Sequence, residues 1–250
     1  MKEITFENIF TLGDIVFEND NYKHVHYSKM LNRYDSNFIE FKSLPSLTTF
    51  KKAETFLKDF HLQKGQKYIK FYLPENIKPS GELYDYLTNM DFEIGFLELF
   101  AIKPNHFPTV RNNKDIEIQI VTNENLDIFI NLKYKNDLEF GNEFARQKTN
   151  LIRRQFEEPN IRHVLAYYKG IPAGYVDIIL SDKTVEIDEL TVDELYRNKG
   201  IGSQLQKYVM DSFSTKTVIL VADGEDTPKD MYRKQNYQYL GFKYEILKIY

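Results

Sequence analysis

Cysteine and tryptophan are absent from these 250 residues. Without cysteine the chain has no disulfide and no thiol nucleophile, which fits a reducing compartment. Metal binding loses its softest ligand as well. His24 and His26 would share one strand face, but no third ligand is evident, so no metal site is expected. Long apolar runs are missing too. The opening Met1-Lys2-Glu3-Ile4 starts no signal-like stretch and nothing reaches the length of a membrane span, so a cytoplasmic chain with no membrane partner is expected. Basic tracts are also lacking, and the net charge is −4, which argues against nucleic acid as a main partner. Aromatic residues, by contrast, are plentiful: 19 Phe and 18 Tyr point to a core built largely of rings.

Length allows one or two domains. The stretch Lys103-Pro104-Asn105-His106-Phe107-Pro108, followed by polar Arg111-Asn112-Asn113-Lys114, is the best linker candidate. The expected division is therefore 1–103, a linker at 104–113, and 114–250. In the first part, Phe38–Phe41 reads as extended. Residues 46–60 read as a helix, with Phe50, Ala53, Phe56, Leu57 and Phe60 at helical spacing. Tyr68–Leu73 and Glu93–Ile102 read as strands, and Gly81–Asn89 as a helix.

In the second part, Ile116–Val121 alternates like a strand, and 123–157 reads as two helices broken near Gly141. Ile161–Tyr168 and Ile171–Leu180 form a hairpin around the two-residue turn Lys169-Gly170. Val185–Val192 is a strand whose apolar rhythm slips once between Ile187 and Leu190, the mark of a β-bulge. Then comes Arg197-Asn198-Lys199-Gly200-Ile201-Gly202, and after it a helix with Ile201, Leu205, Tyr208, Val209 and Phe213 on one face. A strand, a glycine-bearing turn and a helix start point several unpartnered N–H groups at one anion, and the helix dipole favours negative charge there. The glycines permit close approach of a pyrophosphate, and Arg197 and Lys199 add positive charge. A strand at Thr217–Ala222 and a helix starting at Asp226-Thr227-Pro228 follow. Thr227 is the expected N-cap, and the helix ends near Asn236 in a left-handed cap. Tyr237–Tyr250 closes the sheet.

The Walker pattern needs a longer loop ending in Gly-Lys-Ser/Thr, and the dinucleotide fingerprint needs three glycines, so neither matches. R-x-x-G-x-G between a strand and a helix, followed by a strand, a tyrosine-bearing helix and a final strand, resembles the GNAT superfamily of acyl-CoA-dependent N-acyltransferases over residues 114–250. Met231, Tyr232, Asn236 and Tyr237 stand where the family has Leu-Tyr-x-x-x-Gly-Phe. The resemblance implies an α/β (α+β) GNAT fold: a mixed central sheet with a bulged strand before the phosphate-binding turn. It also implies acetyl-CoA as acyl donor and an unidentified amine acceptor that attacks the thioester directly. On this reading Leu190, Thr191, Val192, Arg197, Asn198, Lys199, Gly200, Ile201, Gly202 and Ser203 hold the cofactor. A backbone N–H freed near Leu190 would face the oxyanion. Glu186, with Asp188 and Glu189 as rivals, would take the amine's proton, and Tyr232 would protonate the leaving thiolate. One departure stands out. Glu225 occupies the position seven residues before the tyrosine where many members have Asn, in an acidic corner with Asp223 and Asp226. An alternative therefore stays open: a non-catalytic CoA-binding or regulatory GNAT-like protein.

Two readings of the first half also stay open. Met90-Asp91-Phe92 leading to Gly95-Phe96 echoes Gln235-Asn236-Tyr237 leading to Gly241-Phe242, and Leu87 falls where Tyr232 falls. That suggests an N-terminal α+β domain that is a degenerate, cofactor-free copy of the same fold. The other reading is an unrelated α+β cap, and a separate reading of this half's role is a protein-docking module.

Overall fold

The computed structural model describes residues 3–225 and 228–250, leaving aside the side chains of 228–230. Along the chain run β1 (Asp14–Glu18), β2 (Tyr22–His26), β3 (Phe38–Phe41), α1 (Leu47–Gln63), β4 (Tyr68–Tyr72), α2 (Gly81–Asn89) and β5 (Glu93–Ile102). They are followed by β6 (Ile116–Ile120), α3 (Leu126–Asp137), α4 (Asn142–Phe156), β7 (Ile161–Tyr168), β8 (Ile171–Leu180) and β9 (Thr184–Val192). The last elements are α5 (Ile201–Ser212), β10 (Thr217–Asp223), α6 (Pro228–Lys234) and β11 (Gln238–Ile249). The expected Thr227 cap lies outside the described residues.

The chain folds as two compact units. An amino-terminal unit runs to Leu99 and also includes a short segment from Val221 and Tyr239–Tyr250. A carboxy-terminal unit comprises Phe100–Leu220 and Met231–Gln238. The segment expected as a linker thus lies within the carboxy-terminal unit.

The amino-terminal unit carries strands in the order β1-β2-β3-β4-β11-β5. β3 and β4 pair in parallel, Ile39 opposite Phe71, while β1–β2, β2–β3 and β4–β11 are antiparallel. The chain's last strand therefore belongs with its first hundred residues: Ile246 pairs with Phe71 and is fully buried. Around it Phe41, Phe50, Phe71, Leu57 and Leu87 form a ring-rich core. α1 starts cleanly because the Ser46 hydroxyl accepts from Thr49 N at 3.2 Å, and its Phe50, Ala53 and Leu57 fall on one buried face.

In the carboxy-terminal unit the order is β10-β9-β8-β7-β6. β6–β7, β7–β8 and β8–β9 are antiparallel, and β9–β10 is parallel. Both residues of the β7–β8 turn take positive φ, Lys169 at 51° and Gly170 at 79°, the backbone a two-residue type I′ hairpin requires. Gly141, with φ 100°, breaks the helical stretch between α3 and α4. Phe129, Leu165 and Tyr175 anchor the core under these helices. Among the described residues no helix is long and apolar enough to cross a membrane.

Candidate active site

β9 carries the bulge that its apolar rhythm suggests. Asp188 lies opposite Asp177 and Thr191 opposite Tyr175, so Glu189 and Leu190 together face the single residue Val176. Glu189 absorbs the extra length with φ 48°, a left-handed conformation unusual for a side chain of this size. β9 pairs with β10 at Thr184–Thr217, Val185–Val218 and Glu186–Ile219, and its residues from Ile187 to Val192 run on past that ladder. Backbone groups at Leu190, Thr191 and Val192 therefore lie on a distorted stretch of strand, where a peptide-like arm can add to the ladder.

The turn beyond this strand leaves a helix start uncapped. Asn198 and Gly200 take φ 62° and 87°, which turns the chain sharply into α5. Gly200 is the N-cap, and no side chain caps the helix. The N–H groups of its first turn are thus left for an outside acceptor, at the positive end of the dipole. A Cβ on Gly200 would meet nothing within 4 Å, whereas one on Gly202 would sit 3.7 Å from both Leu190 Cδ2 and Val192 Cγ2. The helix start therefore rests directly on the bulged strand. Gly174 of β8 allows this approach, since a Cβ there would meet Thr191 O at 2.8 Å and Ile201 Cγ2 at 3.2 Å. Arg197, Asn198, Lys199 and Gly200 are exposed, Ser203 is partly exposed and Ile201 is buried.

A cavity of about 650 Å³ opens at the turn, lined among others by Arg111, Lys114, Lys199, Gly200, Ser203 and Lys234. Its far wall is the segment expected as a linker, held in place by bonds from Gln204 Nε2 to Arg111 O (2.8 Å) and Asn236 Nδ2 to His106 O (3.0 Å). Arg111 and Lys114 are thus site candidates that sequence reasoning passed over. The polar run that marked a linker is also a cationic wall.

Of the catalytic candidates, Glu186 is buried and sits on the last paired rung of β9 with β10. Tyr232, on α6, is partly buried with its ring against Phe100 and Tyr237, at centroid distances of 5.8 and 5.4 Å. Lys234 of the same helix lines the cavity at the glycine turn. Asn236 has φ 67°, the expected left-handed cap.

Glu189 does not suit the role of base. Its carboxylate accepts from Lys133 Nζ at 2.7 Å and Lys148 Nζ at 2.8 Å. Burial would raise its pKa, but the two ammonium groups outweigh that and hold it well below the usual carboxylate range. Lys133 is fully buried and also donates to Asp177 at 2.6 Å, while Asp177 bonds His163 Nδ1 at 2.6 Å. Burial likewise works against the charges of Asp177 and Lys133, and their mutual attraction prevails: the Asp177 pKa is lowered and that of Lys133 lies well above its ordinary value. Two helices therefore reach through lysines to the one left-handed residue of the bulge. No motif announced this network, because its members lie far apart in the sequence.

Residues 130–245 match the family model described as an acetyltransferase (GNAT) domain, and residues 4–100 match a domain of unknown function. The carboxy-terminal half is a GNAT domain. The whole chain is 34% identical to a functionally unknown conserved protein from Staphylococcus epidermidis ATCC 12228, covering 99% of this chain and 98% of that one with a TM-score of 0.92. The two share a family. A GCN5-related N-acetyltransferase from Kribbella flavida aligns at TM-score 0.66 and 13% identity, over 95% of this chain and 90% of that one. A tandem GNAT protein from the clavulanic acid biosynthesis pathway aligns at TM-score 0.54 and 11% identity, over 85% and 75%. These two likenesses are likenesses of fold, and they reach beyond the GNAT domain into the first half. No curated protein matches the chain significantly in sequence. The mixed α/β architecture with a bulged strand is thus the GNAT fold, which at the level of the superfamily supports acyl transfer from an acyl-CoA.

Proposed function

We propose that the GNAT domain is an N-acetyltransferase that moves the acetyl group of acetyl-CoA to an amine. The observation that carries this reading is the uncapped start of α5: an exposed left-handed Gly200, no side-chain acceptor, and lysines and arginine around a cavity at the same turn. The residues present fit a pyrophosphate. First-turn N–H groups from Ile201 to Ser203 would hold it, with Arg197, Asn198 and Lys199 beside them and Arg111, Lys114 and Lys234 facing it. Leu190, Thr191 and Val192 offer backbone groups to the arm that carries the acyl thioester.

In the reaction the amine nitrogen forms a bond to the acyl carbon and the carbon–sulfur bond breaks. A free alkylammonium has a pKa of roughly 10.4, so the amine must give up a proton at neutral pH. Glu186 is assigned to receive it, directly or through water, since Glu189 is tied to two lysines. A backbone N–H near Leu190 would stabilise the developing oxyanion. Tyr232 is assigned to protonate the departing thiolate. A second reading, CoA binding without turnover, draws on Glu225, which stands where many GNAT members have a cofactor-contacting Asn.

Calorimetric titration with acetyl-CoA tests the site, and transfer to a panel of amines tests the chemistry. Binding with turnover that falls in Glu186→Gln and Tyr232→Phe supports the enzyme. Binding with no transfer or hydrolysis favours the second reading, and no binding by folded protein overturns both.

A further inference from the structure

Far from the acyl-transfer candidates in sequence, the amino-terminal unit buries a cluster of three imidazoles. His24 and His26 point from one face of β2, and His61 comes from the last turn of α1. Each offers a ring nitrogen, and these nitrogens lie within 4.8 Å of one another. Among the described residues, both ring nitrogens of His24, both of His26 and Nε2 of His61 have no hydrogen-bond partner. A polar group buried without a partner costs roughly 1–3 kcal/mol, so a core that only needed rings at these positions would do better with phenylalanine. The surroundings supply such rings already: Phe60 lies edge-on to His24 at 4.7 Å and to His26 at 5.0 Å.

We propose that His24, His26 and His61 form a binding site for a transition-metal cation of the Zn²⁺ class. His61 is the best-prepared ligand. Its Nδ1 lies 2.7 Å from Tyr68 O, so Nδ1 carries the proton and donates, leaving the lone pair on the unpartnered Nε2. That outer bond is the usual way a metal-binding histidine is oriented. Burial keeps the cluster uncharged at neutral pH: it pushes His24 and His61 down to about 4, and burial with the nearby Lys64 ammonium lowers His26. Neutral imidazoles need lose no proton before binding. The donor set decides the class of ion. Three nitrogens without a carboxylate suit zinc, copper, nickel or cobalt and do not suit magnesium or calcium. Tetrahedral zinc with bonds of roughly 2.0–2.1 Å would draw the nitrogens to roughly 3.3 Å apart, a closure within reach of ring rotation. A fourth position would be left for water or a small anion. His26, slightly exposed, is the side of entry.

The test uses untagged full-length protein, stripped with chelator and titrated with Zn²⁺. One ion per chain and a rise in Tm that chelator reverses are expected. His24→Phe and His61→Phe, which keep a ring in place, should weaken binding by at least the roughly 10–100-fold that even an outer-ligand change costs. His106→Gln, outside the cluster, should change nothing. If the Phe variants do not fold, Co²⁺ in the wild-type protein decides, since a tetrahedral nitrogen site gives intense visible bands and a surface site does not. No saturable binding, weak octahedral Co²⁺ bands, or binding lost in His106→Gln would each overturn the site.

Discussion

Each unit contains a parallel pair of strands joined through a helix, β3–α1–β4 in one and β9–α5–β10 in the other. The two crossovers differ where the helix begins. α1 starts at Ser46, whose hydroxyl takes up Thr49 N, and α5 starts at Gly200, which offers no side chain at all. The helices after the second strand also correspond. Phe92 N bonds Leu87 O at 3.0 Å and Tyr237 N bonds Tyr232 O at 3.1 Å, with Asp91 and Asn236 left-handed at φ 55° and 67°. Leu87 therefore stands in the place of Tyr232. These likenesses support the proposal that the first half is a degenerate copy of the second. On the proposed function, a strand–helix–strand frame does not by itself bind an anion: one hydroxyl at the cap fills the place that glycine leaves open, and one leucine stands where the proposed acid would be.

The largest expected effect concerns the lysines that bond Glu189 on the bulge of β9. Among the described residues, Lys133→Met leaves Asp177 only His163 and Glu189 only Lys148, and should destabilise the protein by about 3–5 kcal/mol, read from denaturant midpoints. The same carboxylates set an acid limit. Their folded pKa values lie below the unfolded ones, so their contribution is complete above the ordinary carboxylate range, about 4–4.5. It is lost as pH falls below that range through the folded values. In Lys133→Met the folded values rise toward the unfolded ones, so that acid loss should be smaller and end at higher pH, and an unchanged stability–pH curve would contradict the network.

Gly200→Glu comes next. A left-handed position taken by a carboxylate at the anion site should weaken acetyl-CoA binding about a thousandfold by calorimetry, from like charge and strain together. Tyr232→Phe should lower turnover about a hundredfold with acetyl-CoA affinity unchanged, and unaltered turnover would remove the tyrosine from the mechanism. The smallest effect sharpens the contrast from the other side. Ser46→Ala should cost about 1 kcal/mol of stability and leave the acetyl-CoA titration as it was. A change in that titration would break the comparison between the two helix starts.

Local chemistry made much of this legible. The Lys169-Gly170 hairpin, the break at Gly141, the slip between Ile187 and Leu190 and the glycine turn are each fixed within a few residues, and each appears where its sequence places it. Pairings across long separations were not legible. Lys133 meets Asp177 and Glu189 at separations of 44 and 56 residues, and neither helix pattern nor strand rhythm marks such partners. Nothing in the sequence marks His61 as a neighbour of His24 and His26, because it sits in an ordinary helical turn and is brought to them only by the fold. β1 was missed for a simpler reason: all of its residues are exposed, so it has no alternating buried face to read.

The pairing of β11 with β4 sets the timing of assembly during synthesis. The ribosome releases β4 long before β11, the 12-residue strand that covers its edge from Tyr68 to Tyr72. Until β11 has been made, the nascent first half presents an open strand edge and lacks Ile246 in its core, a state in which strand edges capture wrong partners. The amino-terminal unit, though begun before the GNAT domain, is completed only after it.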